Sequence, residues 1–121
     1  VALLQRGRLE DAEGHFRKAI EVRRQDPRTY RDVGIVMGEY GRLKESARYL
    51  SESLDRDPRS AETHDSLGVT LAKMGRMDDA VGHFRRALEI DSSFAPARAH
   101  LTIVQRAIES GRAQSQLSRE R

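Results

Sequence analysis

Three segments of the chain begin with the same Gly-Arg pair and share one pattern. Residues 7–20 read GRLEDAEGHFRKAI, residues 41–54 read GRLKESARYLSESL, and residues 75–88 read GRMDDAVGHFRRAL. Each segment begins 34 residues after the previous one, and no insertion separates the copies. Self-similarity at a fixed period of this length is typical of proteins built from stacked supersecondary units. The sequence therefore predicts an array of repeats rather than one globular core.

Apolar residues within each repeat have helical spacing. Those of the first segment recur every three or four residues, which places them on one face of a helix. They are Leu9, Ala12, Phe16, Ala19 and Ile20. A second stripe precedes the next glycine and consists of Tyr30, Val33, Gly34 and Met37. Each repeat is thus predicted to be a helix, a glycine turn in the left-handed conformation, and a second helix.

Helix boundaries follow from this pattern and from local capping residues. The predicted helices span residues 9–23, 27–40, 43–56, 61–74, 77–90 and 95–109. Asp26 and Ser60 are expected to cap two of them, and Ser93 with Pro96 to open the last. Residues 1–6 are expected to be the end of a helix that lacks its first turns, as in a fragment of a longer protein. Residues 112–121 are polar without apolar spacing and are expected to be a disordered tail.

The composition excludes several classes of function. The chain has 121 residues, 37% of them hydrophobic and 34% charged, with no cysteine and a net charge of +3. Disulfides, thiolate metal sites and cysteine nucleophiles are therefore ruled out. Acidic and basic residues alternate, whereas nucleic-acid binders usually gather basic residues on one face, so nucleic acid is not the expected partner. The sequence shows neither a signal sequence nor a long apolar segment. We therefore predict a soluble, cytoplasmic chain, and the sequence contains no signal that specifies a compartment.

Catalytic and metal-binding patterns are missing from the sequence as well. The sequence contains no phosphate-binding loop, and no strand is predicted that such a loop could follow. His15 and His83 occupy the repeat position of Tyr49, and His64 occupies that of Tyr30. These equivalences indicate packing or surface roles, and no histidine has the spacing of a metal site. The sequence therefore predicts no enzyme activity, no metal and no cofactor.

The repeat pattern resembles the tetratricopeptide repeat family over roughly residues 1–110. A repeat of this family begins with an aromatic residue followed by Leu-Gly. It continues with a turn glycine, an alanine, an aromatic residue and Ala-Leu, and it ends with a proline. The matching residues are Tyr30-Val33-Gly34, His64-Leu67-Gly68, Gly41, Gly75, Ala80, Phe84, Ala87-Leu88 and Asp57-Pro58. Ser46 and Ser53 depart from the pattern by replacing alanine, and we expect their substitution by alanine to be neutral or stabilising.

The resemblance implies an all-α, right-handed α-solenoid of antiparallel helix pairs over residues 1–111. Its repeats would span about 1–26, with the first truncated, then 27–60 and 61–94, followed by a capping helix at 95–110. The truncation would leave apolar surface around Leu3, Phe16 and Ile20 open. That open end makes self-association one expected property of the chain.

The resemblance also implies a concave surface lined by the first helix of each repeat. The same inward-facing repeat position holds Ile35, Val69 and Ile103 in three successive repeats. These side chains either bind an apolar ligand or only fill contacts between neighbouring helices. The candidate peptide-binding residues are Arg28, Arg31, Ile35, Glu62, Asp65, Val69, Lys73, His100, Ile103 and Arg106. Apolar anchors with charged residues at the rim suit an extended or helical peptide.

Two specialised forms of the family do not fit this sequence. The clamp that chaperone-binding members use for a terminal carboxylate would fall on Arg31, Ile35, Ser66, Pro96 and His100, where only Arg31 keeps the charge. An asparagine ladder is excluded because the chain contains no Asn. The predicted function is a protein-interaction scaffold that binds a partner segment. The alternatives are a self-assembling structural module and a regulatory arm of an enzyme whose catalytic domain lies outside these residues.

Overall fold

The computed structural model describes the backbone of residues 3–120 and the side chains of residues 6–120. That part of the chain contains six helices and no strand, which confirms the predicted all-α class. The helices are α1 (Leu3–Val22), α2 (Pro27–Glu39), α3 (Leu43–Arg56), α4 (Ala61–Lys73), α5 (Met77–Ile90) and α6 (Ala95–Arg119). They belong to two compact units: the first unit (Val1–Pro58) holds α1 to α3, and the second unit (Arg59–Arg121) holds α4 to α6.

Local sequence signals set the boundaries of the four central helices. Asp26 caps α2 by accepting a hydrogen bond from the backbone N–H of Arg28 at 2.9 Å. Ser60 caps α4 in the same way, accepting from the N–H of Thr63 at 3.2 Å. The turns after α2 and α4 use Gly41 and Gly75, whose φ angles are +79° and +84°. A side chain in this left-handed region clashes with the backbone, so glycine is the residue that suits both turns.

The N-terminal helix differs from the sequence prediction. Instead of a turn at Gly7, α1 runs without interruption from Leu3 to Val22, and Gly7 has no positive φ. Glycine permits a left-handed turn but does not require one, because it adopts helical backbone angles as well. Val1 and Ala2, which also belong to the predicted first helix, lie outside the described residues.

The C-terminal helix is also longer than expected. The prediction ended it near residue 109 and left residues 112–121 disordered, whereas α6 continues to Arg119. The added segment, RAQSQLSR, contains good helix formers and no proline, so an existing helix extends through it at little cost. At the start of this helix Pro96 lies in the first turn, as predicted, but Ser93 is not the cap. Ser93 donates its hydroxyl hydrogen to Asp91 Oδ1 at 2.7 Å, and α6 begins after Phe94 without a side-chain cap.

The first unit is built on an antiparallel pair, α2 and α3. Gly34 faces Leu50, and the Ser53 hydroxyl donates a hydrogen bond to the Pro27 carbonyl at 2.7 Å, so later residues of α3 meet earlier residues of α2. Both Leu50 and Ser53 are buried. Because the Ser53 hydroxyl joins two helices, the contact argues against the expectation that alanine is neutral or stabilising at this position.

A small apolar cluster joins α1 to this pair. Leu9 of α1 packs with Val33 and Met37 of α2, and Phe16 and Ile20 are partly buried against them. The expected open surface around Phe16 and Ile20 is therefore partly covered by the unit's own helices. The side chain of Leu3, which belongs to the same expectation, lies outside the described residues.

The second unit repeats this arrangement with α4 and α5 and adds α6. The close contact is now between Gly68 and the ring of Phe84, which is fully buried. Helix α6 contributes Ala97 and Val104 to the buried core of this unit. The centroid of its His100 ring lies 5.5 Å from the centroid of the Phe84 ring. A small residue opposite a large one lets the helices approach closely while filling the space between them. Among the described residues, none of the helices has the length and apolar character that crossing a bilayer requires.

Candidate functional site

An apolar pocket of about 270 Å³ lies in the second unit, where α4 and α6 meet over α5. Its walls come mainly from one face of α4 and one face of α6, and its floor from the buried ring of Phe84. The lining residues are Val69, Ala72, Lys73, Met77, Phe84, His100, Ile103, Val104 and Ala107. Ile103 is 64% exposed at the rim, so apolar surface is available to a binding partner.

Helical periodicity explains why these residues share the pocket. On α4, Val69 lies three and four residues before Ala72 and Lys73, and such spacing places side chains on one face. On α6, His100, Ile103, Val104 and Ala107 follow the same rule. The alanines at positions 72 and 107 are short, which leaves open space between the larger side chains.

A hydrogen bond between His100 and Asp65 ties α6 to α4 beside the pocket. His100 Nδ1 lies 2.8 Å from Asp65 Oδ1, and the Asp65 side chain is only 10% exposed against 38% for His100. The aspartate accepts a hydrogen bond when Nδ1 of the imidazole carries the proton, and the bond becomes charge-assisted when the ring is fully protonated. The contact orients the imidazole at the edge of the pocket.

The structure brings together half of the residues that the sequence proposed for the binding surface. Val69, Lys73, His100 and Ile103 line the pocket, and Asp65 holds His100 in place. Glu62 on α4 and Arg106 on α6 belong to the same unit, are exposed, and do not line it.

The remaining proposed residues lie on α2 of the first unit. Ile35 is half-buried there. Arg28 is exposed, but its guanidinium donates through Nε and Nη2 to Asp26 at 3.2 Å each. These side-chain hydrogen bonds from Arg28 hold the pKa of Asp26 below its usual value. Arg31 pairs with Asp32 at 3.3 Å and is 23% exposed. Both arginines are therefore engaged with neighbouring carboxylates of their own helix cap or helix.

The sequence interpretation did not assign Ala72, Met77 and Ala107 to a binding surface. The spacing of three and four residues from Val69 and from Ile103 would have identified the two alanines. Met77 comes from α5, and its place in the pocket depends on how the three helices pack.

No arrangement in the described part of the chain points to metal chemistry, since no three His, Asp or Glu side chains there are grouped to hold an ion. Asp79, one of two acids that open α5, is paired with Arg76 at 2.7 Å. Acidic residues in the first turn of a helix stabilise its dipole. The mostly apolar lining of the pocket suits binding of an apolar group.

Several solved structures share this fold. The crystal structure of MamA matches with a TM-score of 0.78 and 19% identity, covering 87% of this chain and 61% of that one. YrrB, described as a TPR protein with an unusual peptide-binding site, matches with a TM-score of 0.71 and 21% identity over 80% of this chain and 50% of its own. A mutant O-GlcNAc transferase from Thermobaculum terrenum has a TM-score of 0.71 and 21% identity, over 74% of this chain and 17% of its own. The chain thus spans less than two thirds of the length of these proteins.

These similarities support the predicted class of helical-repeat solenoids. No curated protein sequence matches the chain significantly. Two tetratricopeptide repeat models match it, one over residues 39–95 and one over residues 1–25. Together the two ranges cover more than half of the sequence, and they include the glycine turns at Gly41 and Gly75 and the close contact of Gly68 with Phe84. The chain therefore belongs to the tetratricopeptide repeat family.

Proposed function

We propose that this chain is a protein-interaction scaffold whose second unit holds a peptide segment of a partner protein in the pocket between α4 and α6. The observation that carries the proposal is an apolar cavity that is open to solvent while its floor, Phe84, is fully buried. Burying one aliphatic side chain that is otherwise exposed contributes about 1.5–3 kcal/mol. An occupant that covers Ile103 would gain this contribution.

The size of the pocket favours a peptide side chain over a cofactor. Sites for drug-sized ligands usually measure about 300–1,000 Å³ and enclose most of the ligand. A volume of about 270 Å³ with an open rim accommodates one or two aliphatic or aromatic side chains. A partner segment with an apolar residue as its anchor fits this space.

Polar groups at the rim define what should flank the anchor. Lys73 is exposed and lines the pocket from α4, and His100, which Asp65 holds in place, lines it from α6. An acidic group next to the anchor residue would meet the Lys73 ammonium. Rim charges of this kind mainly affect the association rate and its salt dependence, whereas the anchor determines the lifetime of the complex.

The similarity to YrrB is consistent with this proposal, since that protein has a peptide-binding site by its own description. The geometry of this chain's own pocket nevertheless carries the argument, because the identity between the two proteins is 21%.

The proposal is tested by selecting peptides from a display library with the full chain and measuring their affinity for variants. Val69→Asp places an unpaired carboxylate against apolar groups and should weaken selected peptides at least tenfold. Ile103→Asp should do the same, and because Ile103 is 64% exposed this variant should keep the fold. Val22→Asp is the matched control, since Val22 is 81% exposed on α1 and lies outside the pocket.

Selected peptides should share an apolar residue, and their affinity for the Val22→Asp control should equal that for the wild type. Circular dichroism establishes whether each variant is folded. If folded Ile103→Asp binds the selected peptides as tightly as the wild type does, the pocket is not their binding site. If Val69→Asp unfolds, Val69 is a core residue, and the Ile103 comparison decides.

A further inference from the structure

Two histidines from different helices meet inside the second unit. His64 of α4 and His83 of α5 have their Nδ1 atoms 3.1 Å apart, with ring centroids at 5.3 Å and ring planes at 29°. His64 is 9% exposed and His83 is half-buried. The equivalent positions of the first unit carry Tyr30 and Tyr49, whose rings are not charged at neutral pH. The second unit thus has titratable groups where the first unit has neutral aromatics.

The short distance between the two Nδ1 atoms limits how many protons the pair can hold. When both rings are neutral, one Nδ1–H donates to the other Nδ1, which has a free lone pair. One additional proton leaves this hydrogen bond in place, because a cationic ring donates to a neutral one. With two additional protons, both Nδ1 atoms carry hydrogen and face each other without an acceptor, and two positive charges lie in contact.

Burial strengthens this effect at His83. Loss of hydration on burial lowers the pKa of His83, the charge of His64 lowers it further, and the carboxylate of Asp79 acts in the opposite direction. Asp79 lies one turn earlier on α5 and is itself paired with Arg76 at 2.7 Å. From α4, the neighbouring carboxylate of Asp65 is engaged by His100 of α6 at 2.8 Å.

We propose that the His64–His83 pair is a pH-sensitive clamp between α4 and α5, which is closed while the pair holds at most one additional proton and is opened by the second. The two rings then titrate as a coupled pair rather than as independent groups. The role of the clamp is separate from peptide binding and does not depend on it.

The direction of the pH dependence follows from the sign of the shift. The native pKa of His83 is lowered from the ordinary value of 6.5, so the unfolded chain binds this proton more readily than the folded one. The contribution of the pair to stability is therefore complete above about pH 6.5 and is lost as the pH falls through the native pKa. Each full unit by which the native pKa of His83 is lowered corresponds to a tenfold increase in the unfolding equilibrium constant at acidic pH.

The test combines a titration with matched variants of the full chain. Nuclear magnetic resonance follows the imidazole signals of all four histidines from about pH 8 to about pH 5, the range in which histidine titrates. Urea unfolding is measured over the same range for the wild type, for His83→Tyr and for His15→Gln. His83→Tyr installs the residue that the first unit has at this position, and His15→Gln is the control because His15 is exposed on α1.

The expected result is a coupled titration of His64 and His83 in which one midpoint lies clearly below 6.5. The wild type and His15→Gln should lose stability equally on acidification, and His83→Tyr should lose less. Titration midpoints at or above pH 6.5 for both His64 and His83 in the folded protein would overturn the proposal. An equal loss of stability on acidification in His83→Tyr and in the wild type would overturn it as well. If His83→Tyr does not fold, the titration of the wild type decides by itself.

Discussion

Replacing Gly68 by alanine is expected to destabilise the second unit by about 2 kcal/mol, although alanine is the better helix former. A Cβ atom at position 68 would lie 2.5 Å from Cε1, 2.8 Å from Cδ1 and 2.9 Å from Cζ of Phe84. Cβ atoms in proteins essentially never approach other heavy atoms to less than 3.0 Å. Phe84 is 0% exposed, and the only open space beside the ring that the described structure shows is the pocket whose floor it forms, so the ring can yield in that direction alone.

The magnitude follows from two opposing effects. Overpacking a well-filled core costs about 1–3 kcal/mol of stability. Because three ring atoms would lie closer than 3.0 Å to the new Cβ atom, the cost here should be about 3 kcal/mol. Replacing glycine by alanine within a helix returns roughly 0.5–1 kcal/mol. The net loss of about 2 kcal/mol lowers the urea midpoint by about 1 M if the denaturant slope is near 2 kcal/mol per M.

Gly82 provides the matched control for this substitution. It lies within α5, it is exposed, and a Cβ built there meets no heavy atom within 4 Å. Gly82→Ala should therefore stabilise the chain by about 0.5–1 kcal/mol through helix propensity alone. Urea unfolding followed by far-ultraviolet circular dichroism compares the two variants with the wild type. A Gly68→Ala midpoint equal to or above that of the wild type would refute the argument from close contact.

A double substitution isolates the contact itself. In a Phe84→Ala background the ring is gone, so Gly68→Ala should become neutral or stabilising rather than destabilising. The difference between the two backgrounds measures the coupling between positions 68 and 84, which contacting residues show and distant residues do not.

The remaining predictions concern the two cores. Phe84→Ala should destabilise the chain by about 3–5 kcal/mol, as truncation of a buried aromatic does, and a loss below about 1 kcal/mol in urea unfolding would place Phe84 outside the core. Ser53→Ala should cost about 0.5–1.5 kcal/mol because it removes the hydrogen bond to the Pro27 carbonyl, and Ser53→Cys should recover little of that loss because a thiol is a weak donor.

Features of the sequence that act over a few residues predicted most of the secondary structure. The bounds of α2 to α5 follow from the caps at Asp26 and Ser60 and from the glycines at positions 41 and 75. Such signals are local, since a cap satisfies backbone N–H groups within its own turn and a left-handed residue is set by its own side chain. The candidate site was only half found, because helix spacing identifies a face but not the helix that packs against it.

The sequence by itself determined the repeat period and the helix-turn-helix unit. The tertiary structure alone decided that α1 continues through Gly7, that the Ser53 hydroxyl bonds to Pro27, and that His64 meets His83. The two contacts depend on the distance between groups on different helices. The course of α1 at Gly7 is not set by the glycine, which adopts helical and left-handed backbone angles alike. Distances between helices result from the packing of whole faces, and no spacing within a single helix encodes them.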